Sequence, residues 1–217
     1  MSGEPFLIDS FRSGDDIHRA TAALVNGIEP SSVNADQRRI AKTVNFGIIY
    51  GMQAYGLSRD TGMSRGDAQE FITAYWSRLP KVKSFFDNVL AEGAKDGFVE
   101  TLSGRRRYLP ELTSSNGARR QAAQRMAMNM PIQGTQADII KLAMIQLDRH
   151  IDDRQFNARM VLQVHDELVL EVSSHEIEQV AEIVKKTMEE AFKLDVPVVV
   201  DLRTGENWQD MEDLMIT

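Results

Sequence analysis

NADQRRIAKTVNFGIIYG, residues 34–51, carries the densest run of local structural signals in the chain. Asn34 is a residue type that caps helices, and Gln37 stands three residues on, where a capping box puts its partner. No proline interrupts the chain before Gly51. Arg38, Lys42, Phe46 and Tyr50 recur at intervals of four, so on a helix they form one slowly drifting stripe. The stripe reads guanidinium, ammonium, benzyl ring, phenol. Its first half suits an extended anion such as a triphosphate, and its second half the flat face of a base. A surface helix with two solvated cations and two core aromatics has the same spacing.

Working outward, Asp15 or Asp16 begins a short helix, IHRATAALVN, closed by Gly27, on which His18 faces outward beside Arg19. Ahead of it Phe6, Leu7, Ile8 and Phe11 are apolar with no strand to pack beside, as at a beginning cut from something larger. After Gly51, MQAYGLSRDTGM reads as polar loop. Ser64 and Asp67 then open a helix to Pro80, with Phe71, Ile72, Tyr75 and Trp76 as core, and a second helix runs to Gly97. FVETL and RRRYL flank Ser103-Gly104 as a β-hairpin. Its arginine triplet fits a solvated strand edge and a phosphate contact equally. NGARRQAAQRMAMNM is helical again, and Pro131 bends or restarts that helix, so Arg125, Asn129 and Gln133 need not share one face. ADIIKLAMIQLDRHI is a long helix with one apolar side.

ARMVLQV and LVLEV are strands flanking His165, Asp166 and Glu167. Turns favour aspartate for its own sake. Two adjacent acids between strands too apolar to solvate them also suggest a cation, because packed carboxylates are costly uncompensated. Ser173 and Glu176 cap a further helix, and PVVVDLRTGENW supplies a last strand and a tail.

Composition sets the limits. The chain has 217 residues, 42% hydrophobic and 26% charged, enough for a sizeable core in one large domain or two lobes. It has no cysteine, which removes disulfides and thiolate metal sites and is compatible with a cytosolic setting. No apolar run reaches the length of a membrane span and no signal peptide opens the chain. The net charge of −7 argues against nucleic acid, but its distribution does not. Residues 101–130 carry six arginines against the single acid Glu111, while residues 166–217 hold 14 acids against four bases. A phosphate-binding strip beside an acidic lobe is the division this implies.

The wording goes further than the spacing. RR-x-A-K-x-x-N-F-G-x-x-Y-G, from Arg38, resembles the fingers-helix signature of family A DNA polymerases, the bacterial DNA polymerase I type. GDDIHRATA, RRQAAQRMAMNMPIQGTQADIIK and QVHDELVLEV resemble three further segments of that family, in order, so the resemblance covers nearly the whole chain. It implies an α+β fold: a helical fingers lobe plus a partial antiparallel palm sheet packed on helices, with the first palm strand missing. The lobes would be residues 1–33 as entry segment from palm to fingers, 34–110 as fingers and 111–217 as partial palm.

By the same resemblance His18, Arg38, Lys42, Phe46 and Tyr50 bind the incoming nucleotide, with Lys42 also catalytic. Phe46 packs on the sugar, Tyr50 sits by the template base, and phenylalanine rather than tyrosine at 46 disfavours dideoxynucleotides. Arg125, Asn129 and Gln133 contact the primer–template DNA through its minor groove, where acceptors stand at equivalent places for every correct pair. His165 lies near the primer end. Asp166 binds catalytic magnesium, Glu167 assists, and two Mg2+ ions belong to the complete site. The partners implied are primer–template DNA and deoxynucleoside triphosphates, with no membrane; the setting is a bacterial cytoplasm, nucleoid-associated through DNA.

The family's first palm motif, a strand-borne aspartate followed by a glutamate, has no match. Asp9-Ser10-Phe11-Arg12 is the nearest echo, and it lies too close to His18 and lacks the glutamate. Activity of these residues alone is therefore in doubt, and the missing N-terminal part of the polymerase counts among the partners. Rival readings are a fragment that binds nucleotide and primer–template without turnover, a remnant that does not fold stably, and a related single-subunit RNA polymerase.

Overall fold

The 34–51 stretch is helical in the computed structural model, which describes residues 1–216 and, among them, every side chain except that of Ile49. Helix α3 spans Ala35–Ile49 and starts with a complete capping box: Asn34 accepts from the Gln37 N–H, and the Gln37 side chain accepts from the Asn34 N–H. The chain divides into two units, Met1–Thr135 and Gln136–Thr217.

In the first unit α1 (Pro5–Ser13) and α2 (Ile17–Asn26) precede α3. Asp16 caps α2 by accepting from the His18 and Arg19 N–H groups, and Gly27 closes it at φ +65°. Phe6 and Leu7 of α1 pack on the core, so the apolar start finds its partners in helices. Just ahead of α1, Glu4 is buried, and its carboxylate accepts from the Lys81 N–H. That amide lies in the first turn of α6 (Pro80–Asp96), where unpaired N–H groups and the helix dipole favour an anion.

Residues 54–61 overturn the loop expected after Gly51. They form helix α4 (Ala54–Thr61), closed by Gly62 at φ +78°. Ala54 and Leu57 point into the core one turn apart, and this burial outweighs the polar composition. Helix α5 (Arg65–Arg78) starts, as its sequence indicates, with Ser64 accepting from the Asp67 N–H. Tyr75 and Ile72 are buried, with Phe71 and Trp76 partly so, in one cluster with Val44, Ile48, Leu57, Leu79 and Phe86. Burial there pushes the Tyr75 hydroxyl up to about 12.

Strands β1 (Phe98–Glu100) and β2 (Arg106–Tyr108) form the expected antiparallel hairpin, with Gly104 at φ +83° in its connection. Arg106 pairs with Glu100 at 2.6 Å and lies 4.3 Å from the Phe98 ring centre. Helix α7 (Gly117–Asn129) then passes through a wider π turn, Met130–Gly134, into α8 (Thr135–Asp153). Pro131 neither breaks nor restarts the helical course; the π turn absorbs its missing N–H.

In the second unit β3 (Ala158–Val164) and β4 (Glu167–Val172) pair antiparallel, with a bulge between Met160 and Leu162. Leu168, Leu170 and Met160 face Leu147 and Ile151 of α8 and Val180 and Val184 of α9 (Ile177–Glu190). Two expectations fail here. Ser173 and Glu176 do not cap α9: Ser173 accepts from the Asn157 side chain and Glu176 from the Asn157 N–H, so both are spent on the preceding loop. Residues 197–200 form no strand; the only pairing nearby is the two-residue ladder of β5 (Arg203–Thr204) with β6 (Glu212–Asp213), and Val199 is exposed. A β-branched run becomes a strand only by pairing, and among the described residues this one pairs with none of the three ladders. The class is α+β, with three two-stranded antiparallel ladders among the described residues.

Candidate functional site

The α3 stripe is on the surface. Phe46 is 52% and Tyr50 47% exposed, which excludes the reading of two core aromatics. Beside them opens a cleft of about 440 Å³, walled by Phe46, Tyr50, Met52 and Arg59. Gly47 lies on its floor, and a Cβ there would come within 2.5 Å of the Met52 sulfur, so the close packing of these segments requires glycine.

The cationic half of the stripe is arranged by α2. The Arg38 Nε donates to Asp16 at 2.6 Å, and this contact holds the Asp16 carboxyl below the usual carboxylate range. The Arg38 terminal nitrogens make no other hydrogen bond, and Lys42 has no hydrogen bond or ion pair among the described residues. The Lys42 ammonium and the forked end of the Asp16-paired Arg38 thus stand open one helical turn apart, a pattern that favours a multiply charged anion.

His18 is half-buried rather than outward on a solvated face. Its ring lies 5.6 Å from that of Phe46, and its Nδ1 stands 3.2 Å from the Asn45 side-chain nitrogen. The tautomer follows from the neighbours. The Thr21 hydroxyl donates to the Ile17 carbonyl, so its oxygen can only accept from Asn45 Nδ2, and that fixes which end of the amide faces His18. Nδ1 is therefore an acceptor and the neutral ring carries its proton on Nε2. Burial, with Arg38 and Lys42 reinforcing it against the opposing pull of Asp16, lowers the His18 pKa.

At the C-terminal end of the stripe the structure joins two segments far apart in sequence. Gln133 Nε2 donates to the Tyr50 hydroxyl at 3.0 Å. Gly51, at φ +71°, lies so close to the Arg125 stem that a Cβ would meet its Cγ at 2.9 Å. Asn129 lies one turn beyond Arg125 on α7, and its Oδ1 is buried with no partner among the described residues. Eight of the nine residues expected at the nucleotide and the DNA therefore lie in the first unit, and His165 lies in the second.

His165, Asp166 and Glu167 belong to the second unit, at the turn from β3 into β4. His165 has φ +54°, and its carbonyl accepts from Gln163 Nε2 at 2.6 Å. All three are exposed, which corrects the expectation of acids poorly solvated between apolar strands: a two-residue tip projects into water. Among the described residues neither carboxylate is in an ion pair, so both can serve a hard divalent cation, which prefers oxygen ligands. No group of three or more ligating side chains gathers among the described residues, so this pair fits one part of a magnesium site.

Sequence reading alone did not reveal Asp16 as the partner of Arg38 or Asn45 as the partner of His18. Asp16 showed only as a helix start, 22 residues from Arg38, and no spacing rule connects the two. Asn45 was visible within N-F-G, but its role needs the α2–α3 packing.

A helical unit with a cationic and aromatic stripe on one helix and a second unit with a carboxylate-tipped hairpin are the features of an α+β nucleotidyl-transfer fold, and known proteins share them. The model of DNA polymerase family A matches residues 1–210, and the chain belongs to that family. It is 50% identical over 204 residues to DNA polymerase I of Pseudomonas aeruginosa, covering 94% of this chain and 22% of that protein. It is 47% identical over 208 residues to the thermostable DNA polymerase I of Thermus thermophilus, covering 96% and 25%. A solved structure, the POL domain of Pol1 from M. smegmatis in complex with DNA primer-template and dNTP, superposes with TM-score 0.85 at 41% identity, covering 90% of this chain and 35% of that one. The chain thus spans about a quarter of the length of these full-length relatives.

Proposed function

We propose that these residues are the fingers and most of the palm of a DNA-directed DNA polymerase, which adds deoxynucleotides to a primer 3′ end under template direction and releases pyrophosphate. The observation that carries this reading is the α3 stripe, with the open forked end of Arg38 and the unpaired Lys42 ammonium followed by exposed Phe46 and Tyr50. Arg38, Lys42 and the His18 Nε2–H donate to the triphosphate, and Lys42 steadies charge developing on the leaving phosphates. Phe46 packs on the sugar and Tyr50 by the template base. Arg125, Asn129 and Gln133 check the minor groove of the duplex, whose acceptors are common to all correct pairs. His165 lies near the primer end.

Asp166 is the magnesium ligand of this hairpin and Glu167 its secondary carboxylate. Magnesium bound there would neutralise charge on the primer hydroxyl and the pyrophosphate. A second aspartate, on the first palm strand, is needed to complete a two-ion site, and it comes from outside these 217 residues. On this reading the chain binds nucleotide and primer–template but does not extend a primer alone.

Primer extension with magnesium and four deoxynucleotides, run beside Asp166→Ala, tests the reading. Binding without extension supports it. Extension lost in the variant would show that the metal site assembles without the other strand. Absence of nucleotide binding by the folded chain would overturn the assignment of the α3 stripe. In the complete polymerase, Phe46→Tyr raises incorporation of dideoxynucleotides relative to deoxynucleotides.

A further inference from the structure

The carboxylate of Asp16 divides its two oxygens between two tasks. One accepts from the His18 and Arg19 N–H groups, each at 3.1 Å, and fixes the start of α2. The other takes the Arg38 Nε at 2.6 Å. Of the five N–H groups of a guanidinium, this occupies the single one on Nε and leaves the four on the terminal nitrogens without partners among the described residues. Arg38 comes from a different helix, so the contact ties the α3 stripe to α2 at the level of His18. Arg19 reinforces the tie by donating to the Val33 carbonyl at 2.9 Å, in the connection between the two helices. A long flexible side chain loses rotamer entropy when it meets an anion, and a fixed Nε means that part of this cost is met in the folded, empty protein.

We propose that Asp16 is a positioning residue for the nucleotide's phosphates: it pins Arg38 through Nε and holds the backbone under His18, so that the forked end of the guanidinium is preset for a triphosphate. This rests on the reading of Arg38 as a phosphate donor. The alternative, an anion that competes with the phosphates for Arg38, predicts the opposite sign on removal of the charge. With 41% and 35% of the two side chains accessible, solvent screens the repulsion between Asp16 and the phosphates, and pre-orientation of Arg38 outweighs it.

Asp16→Asn separates the two tasks, since asparagine caps a helix as well as aspartate but offers no charge to Arg38. The measurement is titration of the 217-residue chain with a fluorescent methylanthraniloyl-dATP in magnesium, for wild type, Asp16→Asn, Arg38→Ala and the double variant. Asp16→Asn is expected to weaken binding on the order of five- to tenfold in the wild-type background and to have no further effect beside Arg38→Ala. The Arg38 Nε–H resonance is expected to be distinct and slowly exchanging in the wild-type chain without ligand and to lose that protection in Asp16→Asn. Unchanged or tighter binding in Asp16→Asn, or equal losses in both backgrounds, would overturn the proposal while leaving Arg38 as a phosphate donor. Arg38→Ala binding like wild type would instead overturn the assignment of the site, and the role of Asp16 with it.

Discussion

At the scale of single residues, His18 shows how a neighbour's hydrogen bonds settle a proton. Thr21 fixes the Asn45 amide, and Asn45 fixes the ring with Nδ1 as acceptor. The folded pKa is lowered, so the protein binds the His18 proton less well than the unfolded chain does. Above the ordinary pKa near 6.5 the group has no effect; as pH falls below it, stability drops until the folded pKa is passed. His18→Gln should flatten that part of a pH–stability profile measured by urea unfolding. Asn45→Asp, which replaces a donor at Nδ1 with an anionic acceptor, should raise the His18 pKa, as read by NMR titration of the ring. Asp16 has the opposite sign of contribution: its pKa is lowered, so its stabilisation is complete above the ordinary carboxylate range and is lost as pH falls through it.

At the scale of elements, helix ends are secured by residues that local rules recognise and by one that they do not. Ser64→Ala should cost about 1 kcal/mol, the usual worth of a serine cap, in chemical denaturation. Glu4 is the exception, 77 residues from the amide it accepts from and 6% exposed. Glu4→Ala removes the charged acceptor of the Lys81 N–H, in a part-buried contact at the start of α6, and a loss of about 2 kcal/mol is expected in the same experiment. The helix ends, the capping box of α3 and the 98–108 hairpin were legible because each is decided by residues within about four positions of one another. Helix α4 was not, because its Ala54 and Leu57 become helix-stabilising only when α5 packs on them. The 197–200 run failed as a strand for the converse reason: propensity was present and pairing was not.

At the scale of the whole molecule, the charge separation along the chain outweighs its net value. Six arginines in residues 101–130 sit in a protein of net charge −7. Affinity for primer–template should therefore fall linearly in log–log with salt, and each phosphate contact removed, as by Arg119→Ala, should lower the slope by about 0.9. A slope near zero in a binding titration would count against the phosphate strip. No helix among the described residues is long and apolar enough to cross a membrane.

The sequence by itself determined the family, the α+β class and the positions of the stripe on α3, because long strings with fixed spacing and helix periodicity are local and additive signals. It also named the carboxylates Asp166 and Glu167, though not their exposure. Only the tertiary structure decided that Phe46 and Tyr50 face outward, that Gln133 bonds the Tyr50 hydroxyl 83 residues away, and that Asp16 and Asn45 orient Arg38 and His18. Such contacts join residues whose separation along the chain has no fixed period. They exist only once helices pack and bring particular donors and acceptors within about 3 Å, which no local pattern encodes.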